Sequence, residues 1–267
     1  MNTMFAALIC AGVQLGEPPR QVEDVGSYLY QPSFAVDKVI RPPTRPYMPQ
    51  PGDLVFAAKN DLWSVLGHIA AGTGYPNHSG VIFVQRDGTL ALLEAGPEGN
   101  LNEGMAIVPL MDSLRTKVCT GRAWVRVRAT PLTPQQSTCL TEYVYHEVGK
   151  RFAKIRTYAQ VTPLRSRMPV RAAVMGGPDP EKSGFFCSEL VLNGLWYAGL
   201  VDDCVRPSAT YPRDLFEGSA RNHFVDRGVR QLNDGWLPPA RWTPTSDKGC
   251  NSANVNDDQT PWRFHQR

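Results

Sequence analysis

The chain has 267 residues, of which 42% are hydrophobic and 20% charged, and a net charge of +3. These values suit a globular protein that buries one large domain or two small ones. The charge is too small to argue for nucleic acid, and neither a basic-aromatic RNA motif nor a Gly-rich phosphate loop is present.

Met4 to Val13 is an apolar run of ten residues, too short to span a bilayer. It has the length of a signal-peptide core, yet no Lys or Arg precedes it. The residues leave a signal peptide and a buried element both open, and with them cytoplasmic or exported localisation. Residues 17–50 are Pro-rich and read as an extended approach to the core. Pro51-Gly52-Asp53 opens a strand from Leu54 to Ala57. Leu62, Val65, Leu66 and Ile69 give Asp61 to Ala71 helical spacing. Strands follow at 80–85 and 89–94, joined by Arg86-Asp87-Gly88. Ala123, Val125, Val127 and Ala129 alternate with Trp124, Arg126 and Arg128, the period of a half-exposed strand.

Thr133-Pro134-Gln135-Gln136 carries a capping residue, a first-turn proline and a glutamine that closes a capping box. The helix should run to about Val148 and stop at Gly149, with Leu140, Tyr143, Val144 and Val148 buried. Leu190, Val191, Gly194, Leu195 and Ala198 mark another helix, stopped by Gly199. After about residue 235 the chain reads as a loosely packed tail. Helices mix with a hairpin-dominated sheet, which favours an α+β fold.

The six cysteines are irregularly spaced and include no Cys-x-x-Cys pair. Neither a structural zinc site nor a disulfide framework draws support from that pattern. Cys187 is the cysteine placed for chemistry. A helix beginning near Phe186 puts it in the first turn, where unpaired N–H groups and the dipole favour the thiolate. The same cysteine between Phe186 and Leu190 also reads as a plain core residue.

His78 stands at the mouth of an apolar strand, where a histidine is more often a hydrogen-bonded surface residue than a base. Glu94 closes an otherwise apolar strand, where a carboxylate needs a partner to offset its desolvation. A three-residue loop 86–88, with Gly88 left-handed, pairs Gln85 with Thr89 and therefore Gly80 with Glu94. That register places His78 on the face of Glu94, diagonal to it. A two-residue turn would instead put the two side chains on opposite faces. His68 reads as structural, His146 as polar-side, and His223 and His265 have no evident partner. Lys150, Arg151, Lys154, Arg156, Arg165, Arg167 and Arg171 form an acid-free run, which reads either as a solvated face or as a rim attracting an anionic substrate or lipid surface.

Three landmarks, 51–56 (Pro-Gly-Asp-Leu-Val-Phe), 77–81 with Leu93-Glu94-Ala95, and 186–191 (Phe-Cys-Ser-Glu-Leu-Val), resemble the circularly permuted papain-like hydrolases of the NlpC-type superfamily (YiiX/YaeF-like). A weaker echo lies at 210–215, and the similar zone spans about 50–218. The resemblance implies a permuted papain-like fold, an antiparallel sheet or partial barrel packed against helices that include the nucleophile-bearing one. It implies Cys187 as nucleophile, His78 as base and Glu94 as the residue orienting the imidazole, with neither metal nor organic cofactor. The chain departs from the family in having Phe186 where tyrosine is frequent and Ser79 where a small apolar residue is common. The expected organisation is an N-terminal segment (1–49), a catalytic domain (50–218) and a C-terminal extension (219–267). The expected activity is cysteine-dependent hydrolysis of an amide, ester or thioester in a small-molecule, peptide-like or lipid-linked substrate, with the basic run pointing to an anionic one. An acyltransferase and a non-catalytic cell-envelope binding module are the alternatives. No transmembrane segment is expected, and oligomeric state does not follow from the residues.

Overall fold

The computed structural model describes residues 27–30, 45–59, 74–96, 104–160, 162, 164–218, 232 and 235–244. The apolar run 4–13, the helix expected at 61–71, and His68, His223 and His265 lie outside them. In chain order the strands are β1 (Ser27–Tyr30), β2 (Arg45–Pro46), β3 (Leu54–Lys59), β4 (His78–Val84), β5 (Leu90–Ala95), β6 (Met105–Pro109), β7 (Gly121–Arg126), β8 (Arg151–Phe152), β9 (Gly184–Phe185) and β10 (Ala240–Pro244). The helices are α1 (Leu110–Thr120), α2 (Pro134–Glu147), α3 (Lys154–Ala159), α4 (Pro169–Met175), α5 (Cys187–Tyr197) and α6 (Pro212–Glu217).

Eight strands form one antiparallel sheet in the order β2-β1-β10-β7-β3-β4-β5-β6. With helices packed on it, the molecule is a mixed α+β structure. The central strands bury both faces, which is why they read as continuous apolar runs such as Leu54-Val55-Phe56 and Val81-Ile82-Phe83. On one face Leu54, Phe56, Val81, Phe83 and Leu93 pack with Leu140, Tyr143, Leu190 and Leu195 of α2 and α5. On the other, Val55, Ile82, Leu92 and Val125 pack with Leu110 and Leu114 of α1.

Local signals decide several of these elements. Thr133 and Gln136 make the reciprocal capping contacts expected of them, and α2 ends before Gly149. Gly88 takes φ of +85° and closes the three-residue loop, so Gln85 N–H donates to Thr89 at 2.7 Å and Gly80 pairs with Glu94. Gly80 is also required by space. A Cβ there would lie 2.8 Å from the Leu93 carbonyl oxygen and 3.1 Å from Glu94 Cγ. Gly80→Ala should therefore push β4 from β5 and cost about 1–3 kcal/mol, which urea unfolding would measure; a neutral substitution would refute that close approach.

Five expectations fail. The irregular tail is interrupted by β10, which inserts between β1 and β7 and buries Trp242. The strand begun at Ala123 ends at Arg126, beyond which Arg128 makes an isolated bridge to Trp236. Arg126 and Arg128 are buried rather than exposed; Arg126 donates to the carbonyls of Leu215, Phe216, Trp236 and Leu237, and those acceptors offset its desolvation. Val148 is 38% exposed because α2 has already ended. Cys119 and Cys139 are also each disulfide-bonded, which irregular spacing along the chain could not reveal because bridges form across space.

Candidate active site

Cys187 is the first residue of α5, preceded by Phe186 in an extended conformation (φ −99°, ψ 167°). Phe186 has no polar atom with which to cap the helix. The compensating contact runs the other way, with Phe186 N–H donating to Glu189 Oε2 at 3.5 Å. The first α-helical hydrogen bond is Leu190 N–H to Phe186. The N–H groups of Cys187, Ser188 and Glu189 thus form the open first turn, next to the thiol itself.

Glu94 stands on the α1 face of the sheet and Cys187 on the α5 face. His78, the first residue of β4, touches both from the strand's end. Its Nε2 is 3.5 Å from Glu94 Oε1, which is loose for a hydrogen bond, so the attraction across the gap is electrostatic. Its ring is also near enough to the Cys187 thiol for each group to shift the other's pKa. Burial alone would lower the pKa of His78, but the charge of Glu94 and the contacts with Cys187 override it and raise the value to about 9. Burial would raise the Cys187 thiol; the His78 hydrogen bond and charge, followed by the backbone and side chain of Ser79, pull it below its ordinary value. Ser79, an oddity in the sequence, is fully buried against the thiol and favours its anion.

Two further residues complete the cluster. Lys117 Nζ lies 2.6 Å from Glu94 Oε1, the oxygen that faces His78, and 2.5 Å from Ser113 Oγ. Ser113 Oγ in turn lies 3.5 Å from the same carboxylate oxygen. Burial would raise the pKa of Glu94, yet His78 and Lys117 together hold it at about 2. The site is thus a buried line of thiol, imidazole, carboxylate and amine, in which groups of opposite ionised charge alternate. Alternation lets each group favour the charged form of its neighbour in a low-dielectric environment.

Lys117 belongs to none of the sequence landmarks, and α1 is not among the elements predicted above. The signal exists. Leu110, Ser113, Leu114, Lys117 and Val118 fall at i, i+3, i+4, i+7 and i+8, so a lysine occupies a core-facing stripe. The other described histidine, His146, is largely exposed, and its Nδ1 lies 2.7 Å from Glu147 Oε1, apart from this cluster. Asp53 of the Pro-Gly-Asp landmark is structural. It accepts from Tyr47 Oη at 2.8 Å, Gln50 N–H at 3.2 Å and Arg128 N–H at 2.7 Å, tying the turn before β3 to the end of β7.

No family model and no curated protein matches the sequence. Among solved structures, the metalloprotein yiiX from Escherichia coli O157:H7 is a distant neighbour, with 17% identity, a TM-score of 0.39, and coverage of 70% of this chain and 88% of that one. That likeness is too weak to assign fold family or chemistry. Among the described residues, no group of three or more His, Cys, Asp or Glu side chains is placed to hold a metal ion. No described helix is long and apolar enough to cross a membrane.

Proposed function

We propose that the protein is a cysteine-dependent acyl-transfer enzyme of the permuted papain-like type, acting as a hydrolase, with Cys187, His78 and Glu94 as its triad and residues 50–218 as its catalytic domain. The observation that carries this reading is that one imidazole, His78, lies 3.5 Å from buried Glu94 and near enough to buried Cys187 for the two to shift each other's pKa. The Cys187 thiolate attacks the carbonyl carbon of an amide, ester or thioester, and the N–H groups in the first turn of α5 hold the oxyanion. The His78 imidazolium gives its proton to the leaving group as the old bond breaks. Water, deprotonated by His78, then cleaves the thioester and restores the thiolate. Glu94, anchored by Lys117, keeps the ring in place and its charged form favourable. The disulfides at Cys119 and Cys139 favour an oxidising compartment for the enzyme.

The pH dependence of Cys187 alkylation tests the ion pair. A thiol held below its ordinary value of 9.0 beside an imidazole held at about 9 should already react as thiolate below pH 9. The profile should change a second time as His78 loses its proton near about 9. A single rise at the ordinary thiol value would favour a buried cysteine in a non-catalytic binding module instead.

A further inference from the structure

We propose that residues 150–175 form an interfacial lobe that seats the protein on an anionic lipid bilayer, with a basic pocket beside Phe186 receiving a lipid phosphate. Nine large hydrophobic side chains are exposed among the described residues, and seven of them fall between Ile155 and Met175. Ile155 is 86% exposed, and Val170 and Val174 are each 77% exposed. Such side chains protrude, and insertion between lipid tails requires no complementary groove. The same stretch contains no acid from 148 to 178, whereas Arg151, Lys154 and Arg165 are exposed along it. Apolar protrusions ringed by cations are the complement of an anionic headgroup layer.

The lobe's anchorage explains why it projects. Parallel pairing of β8 with β9 pins both ends of the excursion beside Cys187. Arg156 on buried Glu189 and Arg167 on Asp214 hold its inner side. Helices α3 and α4 then flank a pocket of about 70 Å³ lined by Arg156, Arg171, Lys182, Gln160, Ser208 and Phe186. Glu189, which accepts from Arg156 and from Lys182 at 3.1 Å, offsets only part of that positive charge. Phe186 is both a pocket wall and the residue before Cys187, so a phosphate held there would leave the rest of its lipid next to the thiol. An acidic protein would match the charge but has no use for separate protruding aliphatic tips.

Vesicle sedimentation of the full chain tests the lobe without any catalytic readout, and Cys187→Ala protein should partition as wild type does, so failure of the acyl-transfer reading would leave this result standing. Wild type should bind vesicles of phosphatidylcholine mixed with phosphatidylglycerol and bind pure phosphatidylcholine several-fold less. The exposed pair Val170→Ser with Val174→Ser should lower the partition coefficient by about tenfold, and Arg165→Glu by roughly fivefold or more, with unchanged thermal midpoints. Equal partitioning of these variants and wild type, or no binding of wild type to the anionic vesicles, would overturn the proposal; in the latter case an acidic protein becomes the better occupant.

Discussion

His78→Ala should lower the rate at which iodoacetamide alkylates Cys187 near pH 6 by roughly a hundredfold. A thiol at the ordinary value of 9.0 is only about 0.1% ionised at that pH. In the protein the His78 ring is the largest influence opposing burial of the thiolate. Without it, only the N–H and hydroxyl of Ser79 and the open turn of α5 favour the anion, and desolvation works against them. The fall is smaller than the gain in thiolate fraction alone would give, because a thiolate of low pKa is intrinsically less nucleophilic. Exposed Cys204, which is free and remote from the cluster, serves as the internal control and should alkylate at the same rate in both proteins. An unchanged Cys187 rate in the variant would remove His78 from the mechanism.

Glu94→Gln should have the second large effect, and on two quantities at once. It removes the charge that sustains the imidazolium, so thiolate reactivity at neutral pH should fall by roughly tenfold or more. It also leaves Lys117 buried without its counter-ion, at a cost of about 3–5 kcal/mol. The sign of the pH dependence follows from the depressed pKa of Glu94. A carboxylate held at about 2 contributes stability above its ordinary value of 4.5, and that contribution is lost as pH falls through about 2. The stability gap between variant and wild type should therefore be full at neutral pH and shrink in acid. Pairing the change with Lys117→Met separates the two effects. The double variant should regain most of the stability while the thiol stays sluggish, because the buried cation has gone but the imidazolium is still unsupported. Recovery of both stability and reactivity would make Glu94 a purely structural partner of Lys117.

The parts of the site visible in the sequence were those set by local rules. Gly88 fixes the loop length, loop length fixes the register, and the register puts His78 and Glu94 on one face. The start of α5 followed from apolar spacing and the stop at Gly199. What escaped depends on contacts between distant segments. Arg126 reads as solvent-facing because alternation reports period, whereas its burial depends on carbonyls more than eighty residues away, and Arg128 lies over the distant Trp236 ring. Lys117 escaped for the same reason, since its acceptor lies on a strand that only the tertiary fold brings to α1. Strand β10 is short, and its pairing with β1 and β7 joins opposite ends of the chain, which no local pattern encodes.

The most direct test of the account is acylation by p-nitrophenyl acetate, followed by intact-protein mass measurement and peptide mapping. The account predicts a stoichiometric burst of p-nitrophenol and a transient acetyl thioester on Cys187. The burst and adduct should vanish in Cys187→Ser, and the adduct should turn over more slowly in His78→Ala. Acetylation confined to Cys204 or to lysines in folded wild-type protein, with Cys187 unmodified, would contradict it.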